Sequence, residues 1–118
     1  MSYDLAVWAE VPPFAGLSVD AAYEVVSELL DDDEALAEPT AEVIDDLVGA
    51  LLARWPALGA PGDQNSPWAM GPEIGDTFGS CIYITMTYRG AEYAAPVIAA
   101  EARSRGLVCY DPQVEEAI

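Results

Sequence analysis

The 118 residues carry 21 Asp and Glu against four Arg, with no Lys and no His, for a formal charge of -17. A domain so acidic repels phosphate backbones and anionic membrane surfaces and attracts basic proteins and cations over long range, so neither nucleic acid nor membrane is expected as a partner. With 53% apolar residues the chain reads as a single acidic domain over 1–118, not a disordered tail, and without a basic leader or a bilayer-length apolar run it is expected to be soluble and cytoplasmic.

Tyr3 to Ala9 alternates, with Tyr3, Leu5 and Val7 on one face and Asp4, Ala6 and Trp8 on the other, which predicts a half-buried strand ended by Pro12 and Pro13. Ser18 is placed to cap a first helix over Val19 to Asp31, whose apolar positions Ala22, Val25, Val26, Leu29 and Leu30 recur at helical spacing. Asp31, Asp32, Asp33 and Glu34 fall at its C-terminal end, where the helix dipole disfavours negative charge, and should fray into a solvated acidic loop. Thr40 can cap a second helix with a broad apolar stripe from Val43 to Trp55, leaving Asp45 and Asp46 toward water. Residues 56 to 80 are dense in Pro and Gly and read as one long connection with room for a short strand around Trp68 to Met70. Cys81 to Tyr88 has the strongest strand pattern and should be central. A third helix is expected through Ala94, Val97, Ile98 and Ala102, with Pro96 near a first turn or a kink and Gly106 as its stop. Leu107 to Tyr110 makes a last short strand.

This order, β-α-α-β-β-α-β, predicts an α+β fold. If the two early helices form one crossover, it is a ferredoxin-like split β-α-β sandwich with four mostly antiparallel strands in the order 4-1-3-2, helices on one face and the other face open or covered only by the long Gly/Pro connection. In that order Cys81 and Cys109 lie on strands separated by the first strand, about 9.5 Å apart. This exceeds disulfide reach, so both should be reduced core thiols.

The chemistry-bearing residues are few in kind. Asp31 to Glu34 lacks the alternating ligand spacing, glycine and distal Glu of a calcium loop. Gly71, Gly75 and Gly79 precede a strand and open no helix, unlike a phosphate-cradling loop. A nucleophilic Cys has no His to activate it. Arg54, Arg103 and Arg105 each fall at the end of a predicted helix, where a cation complements the dipole, leaving only Arg89 without such a role. The sequence therefore points to no catalytic residue, no metal and no cofactor. Trp68, beside Pro67 and Gly71, is the aromatic best placed to be exposed as an interface anchor, with a plug at the edge of the core as the equal alternative.

The segments YDLAVWAE at Tyr3 to Glu10, SPWAMGP at Ser66 to Pro72 and GLVCYDPQ at Gly106 to Gln113 resemble those of small uncharacterised bacterial proteins, common in actinobacteria, that share such ends around two variable helices. That resemblance implies no reaction. More loosely, the chain is similar to immunity proteins of polymorphic toxin systems, which are small, acidic, cytoplasmic α/β domains.

The expected function is a non-enzymatic protein-binding domain, most concretely an immunity protein that neutralises a basic toxin domain. Asp31, Asp32, Asp33, Glu34, Asp45 and Asp46 would steer encounter, while Trp68, Glu73 and Asp76 would supply the desolvated contacts. The alternatives are a self-associating module that dimerises through the open sheet face and an enzyme built on paired carboxylates or a metal.

Overall fold

The structure, a computed structural model, describes residues 2–118. Among these, five strands form one antiparallel sheet: β1 (Tyr3–Ala9), β2 (Gly75–Phe78), β3 (Cys81–Met86), β4 (Leu107–Asp111) and β5 (Glu116–Ala117), in the order β2-β3-β1-β4-β5. Four helices, α1 (Val19–Leu30), α2 (Asp33–Leu36), α3 (Glu42–Arg54) and α4 (Tyr88–Ser104), complete an α+β fold. Among the described residues no helix is long and apolar enough to cross a membrane.

The sheet is covered on both sides, which corrects the expectation of helices on one face and an open surface on the other. Leu5 and Val7 of β1 join Ile82, Ile84 and Met86 of β3 beneath Ile44, Leu47 and Leu51 of α3 and Ala94, Ile98 and Ala102 of α4. Ala6 and Trp8 point the opposite way, into Ala22 and Val26 of α1, Ala35 of α2, Phe14, Phe78, Cys81 and Tyr110. Leu5, Ala6, Val7 and Trp8 are all buried. A strand apolar on both faces needs a layer over each, as in sheets sandwiched between helices. The two early helices therefore part company, and among the described residues both faces of the sheet are covered by helices.

The two layers differ in texture. The α3/α4 side is aliphatic, and the run of small residues Ala91, Ala94, Ala95, Ala99 and Ala102 lets α4 lie close to the strands. The α1/α2 side is aromatic: Trp8 stacks on Phe14 with ring centroids 5.8 Å apart, and Tyr110 packs against Tyr23 at 4.7 Å. Such ring pairs contribute about 0.5–1.5 kcal/mol beyond their area.

Helix ends follow local chemistry. Ser18 Oγ accepts the Ala21 N–H at 3.2 Å and starts α1 where the sequence predicts. The acidic run does not fray into a loop. Asp31 ends α1, and Asp32 caps α2 by accepting from Glu34 N at 2.9 Å and Ala35 N at 3.4 Å, with Asp33 and Glu34 in the first turn. Acids disfavoured at one helix end are favoured at the start of the next, so the chain restarts instead of unwinding. Thr40 does not cap α3, whose N-cap is Ala41; its hydroxyl donates to Thr77 Oγ1 at 3.0 Å. Thr87 caps α4 by accepting from Gly90 N at 2.9 Å, so this helix begins earlier than expected and carries Pro96 on its exposed side.

Two expectations for the long connection are also corrected. The second strand is Gly75–Phe78, not Trp68 to Met70, although Trp68 makes an isolated bridge to Met86. Trp68 is no exposed anchor: it is 1% exposed, its Nε1 donates to the Trp55 carbonyl at 3.1 Å, and its ring meets that of Trp55 edge-on. An indole in the core with its one donor satisfied is a structural plug. Cys81 and Cys109 are buried and unbridged, in agreement with expectation, and they occupy opposite layers. Burial pushes the Cys109 thiol up to about 12 and raises that of Cys81 further, so neither supplies thiolate near neutral pH.

Candidate partner-binding edge

Charge is distributed unevenly along the chain, since no cation precedes Arg54. Arg54 and Arg103 lie in the last turns of α3 and α4, Arg105 caps the end of α4, and Arg89 lies in the first turn of α4. Among the described residues one ion pair is formed, between Arg105 and Glu101 at 3.7 Å on the surface of α4. The acids of α1, α2, β2 and the first half of α3 are therefore uncompensated, and they set the potential over that side of the molecule.

The candidate residues fall into three groups. Asp31, Asp32, Asp33 and Glu34 are exposed at the α1–α2 junction, and Asp45 and Asp46 are exposed on α3. Asp46 shares a shallow depression with Glu42 and Val43. Glu73 and Asp76 are exposed at the β2 edge of the sheet. Trp68 is remote in character from all of these, being buried on the α3/α4 side. Among the described residues no group of three or more His, Cys, Asp or Glu is clustered as a metal would require.

Glu73 and Asp76 lie in a groove of about 340 Å³ that runs along β2. Leu36 of α2 forms one wall, Val48 and Leu52 of α3 form the other, and Ile74 and Ile82 lie at the base. The two walls come from opposite faces of the sheet, so the groove exists only because α2 and α3 straddle the edge strand. The strand is set by its hairpin: Gly79, at φ +57°, supplies the positive angle that the two-residue Gly79-Ser80 turn needs between Phe78 and Cys81. Gly75 is required by proximity, since a Cβ there would lie 2.0 Å from the Tyr83 carbonyl oxygen. Neither Gly75, Thr77 nor the walls Leu36, Val48 and Leu52 stands out as a site residue in the sequence; the Gly79-Ser80 pair before Cys81 is the one feature from which a hairpin here could have been read.

At the other side of the sheet a polar network joins the two ends of the chain. Asp111, 4% exposed, accepts from the Tyr3 hydroxyl, from Gln113 N at 2.9 Å and from Gln113 Nε2 at 2.6 Å. Gln113 also exchanges hydrogen bonds with the Asp4 backbone, accepting from its N–H at 2.8 Å and donating to its carbonyl at 2.7 Å, and the Tyr83 hydroxyl donates to Asp4 Oδ2 at 3.1 Å. The hydrogen bond to Asp111, aided by burial, lifts the Tyr3 phenol from 10.0 to about 12. A buried carboxylate with three donors is a satisfied structural tie. The YDLAVW and CYDPQ segments thus meet on the adjacent strands β1 and β4, where they hold the scaffold together.

No protein-family model matches the chain, and neither the curated proteins nor the solved structures contain a significant match to it.

Proposed function

We propose that the chain is a non-enzymatic acidic protein-binding domain, most concretely a cytoplasmic immunity protein that covers and neutralises a basic toxin domain. On this reading β1 to β4, in the order 4-1-3-2, form a ferredoxin-like unit to which β5 is appended. The observation that carries the proposal is the convergence of uncompensated acids and an apolar groove on one edge, where α2, β2 and α3 meet. Asp31 to Glu34, Asp45 and Asp46 steer a basic partner toward that edge, and Glu73 and Asp76 meet its Lys or Arg at the rim.

The test is capture of a basic partner from native lysate at low salt, followed by stopped-flow association of the purified pair. Added salt should slow association steeply, since electrostatic steering accelerates encounter by about 10–10³-fold. The Asp45→Asn, Asp46→Asn double variant should lose several-fold in on-rate with little change in off-rate. Recovery of the bait alone, or an association rate indifferent to ionic strength, would sink the reading.

A further inference from the structure

We infer that the β2 edge is a strand-addition site, where an extended segment of the basic partner pairs its main chain with Gly75 and Thr77 and lays alternate apolar and cationic side chains into the groove. The inference rests on the acidic-binding reading and specifies its mode.

Hydrogen-bond parity identifies the free groups. Ala9 N donates to Ser80 O at 2.9 Å, and Thr85 N donates to Ile74 O at 3.1 Å. In an antiparallel ladder successive residues bond to opposite sides, so the even-numbered residues of β3 bond to β1 and the odd-numbered ones to β2. With Asp76 opposite Tyr83 and Phe78 opposite Cys81, these two β2 residues turn their main-chain groups inward, and Gly75 and Thr77 turn theirs outward. Among the described residues neither Gly75 nor Thr77 has a main-chain partner on that outer side. At the hairpin end the edge is already closed at Gly79, because Ala41 N donates to Gly79 O at 2.9 Å, whereas Thr40 bonds the hydroxyl of Thr77 and not its main chain. The open stretch therefore runs from Glu73 to Thr77.

The lining of the groove selects the occupant. Val48, Leu52 and Ile74 present apolar surface to side chains on one face of an added strand and Leu36 to those on the other, while Glu73 and Asp76 offer carboxylates to its cationic side chains at the rim. Main-chain pairing supplies affinity and the alternate side chains supply specificity, as in other strand-addition complexes. A second copy of this chain is a poor occupant, since its own β2 would bring the same two acids against Glu73 and Asp76 under a charge of -17 on each molecule. The acids that guard the edge against self-pairing are the groups that favour a cationic strand.

The experiment uses a blocked synthetic peptide of alternating valine and lysine, and a second peptide of equal charge whose alternate backbone nitrogens are methylated. Binding at low salt is read by fluorescence anisotropy, and hydrogen exchange of the Gly75 and Thr77 amides is read by NMR. The first peptide should bind saturably and slow exchange of both amides, and methylation should weaken binding by at least about tenfold through loss of the ladder bonds. Thr77→Pro should have the same effect, since an edge residue whose N–H points outward tolerates proline without loss of the fold. The amide spectrum checks that variant, and the methylated peptide tests the idea on the unaltered protein. Equal binding of the two peptides without amide protection would overturn strand addition and leave a charge-driven binding surface standing. A failure of every basic peptide and protein to bind at low salt would remove both readings. A dimer of the free chain by light scattering, abolished by Thr77→Pro, would also overturn the inference by giving the edge to a second copy.

Discussion

The two edges of the sheet solve the same problem in opposite ways. Beyond β4 the chain makes a tight turn and returns as β5, two exposed residues long, with Ile118 N closing on Cys109 O at 2.9 Å. The Tyr3–Asp111–Gln113–Asp4 network holds that turn shut, and an edge so short gives little template for pairing. At the opposite edge β2 is flanked by two helices that belong to different layers, and its outer main-chain groups lie in an acid-rimmed groove. One edge is sealed by its own residues, and the other is shaped and charged without being filled. Edge protection here is thus a property of charge on one side and of covalent continuity on the other, and only the first kind can be relieved by a partner.

The contrast can be broken most severely at Trp68. Its indole anchors the segment leading into β2, so Trp68→Ala should cost about 3–5 kcal/mol in urea denaturation and abolish peptide binding at β2. A cost under about 1 kcal/mol would mean that the segment is held by other contacts. Next comes Gly75→Ala, in which the added methyl meets the Tyr83 carbonyl. It should destabilise by about 1–3 kcal/mol through overpacking, with amide shift changes concentrated in β2 and β3 and none in β5. An unchanged spectrum would show that β2 and β3 accommodate the added methyl without moving.

The smallest effect sharpens the comparison from the sealed edge. Tyr3 has a folded-state pKa of about 12, above its ordinary 10.0. A phenol whose pKa is raised by folding contributes stability that is complete below pH 10 and is lost as pH rises through 12. Tyr3→Phe should therefore cost roughly 1 kcal/mol at neutral pH. The difference from the wild type should shrink through the alkaline window, which isolates Tyr3 from the other raised phenols, Tyr83 and Tyr110. A difference constant to pH 12 would mean that the hydroxyl contributes only packing.

Much of this architecture was legible where local pattern and tertiary role coincide. Ser18 caps the first helix as its position implies, and the alternation in Tyr3 to Ala9 and Cys81 to Met86 marks the central strands. The covering of both faces was also written in β1, because Ala6 and Trp8 are as apolar as Leu5 and Val7. β2 was obscured because GDTF has no apolar run; an edge strand buries little, and the signal lay in the Gly79-Ser80 turn that follows it. β5 consists of two residues in an acidic tail and has no pattern to read. For the site, the acids could be enumerated from sequence but the groove could not. Leu36 and Val48 belong to helices on opposite layers, and nothing in their spacing announces that they face one another across β2.

A sheet sealed on both faces also divides the interior into two compartments that share no side chain. Volume changes in the aromatic compartment under α1 and α2 should add to those in the aliphatic one under α3 and α4, because sites without shared partners do not couple. The groove over β2 is where the compartments meet, with α2 hung from one and α3 from the other. Its width can therefore be retuned from either side independently, so a lineage could change what the edge accepts by repacking one layer while the other keeps the fold.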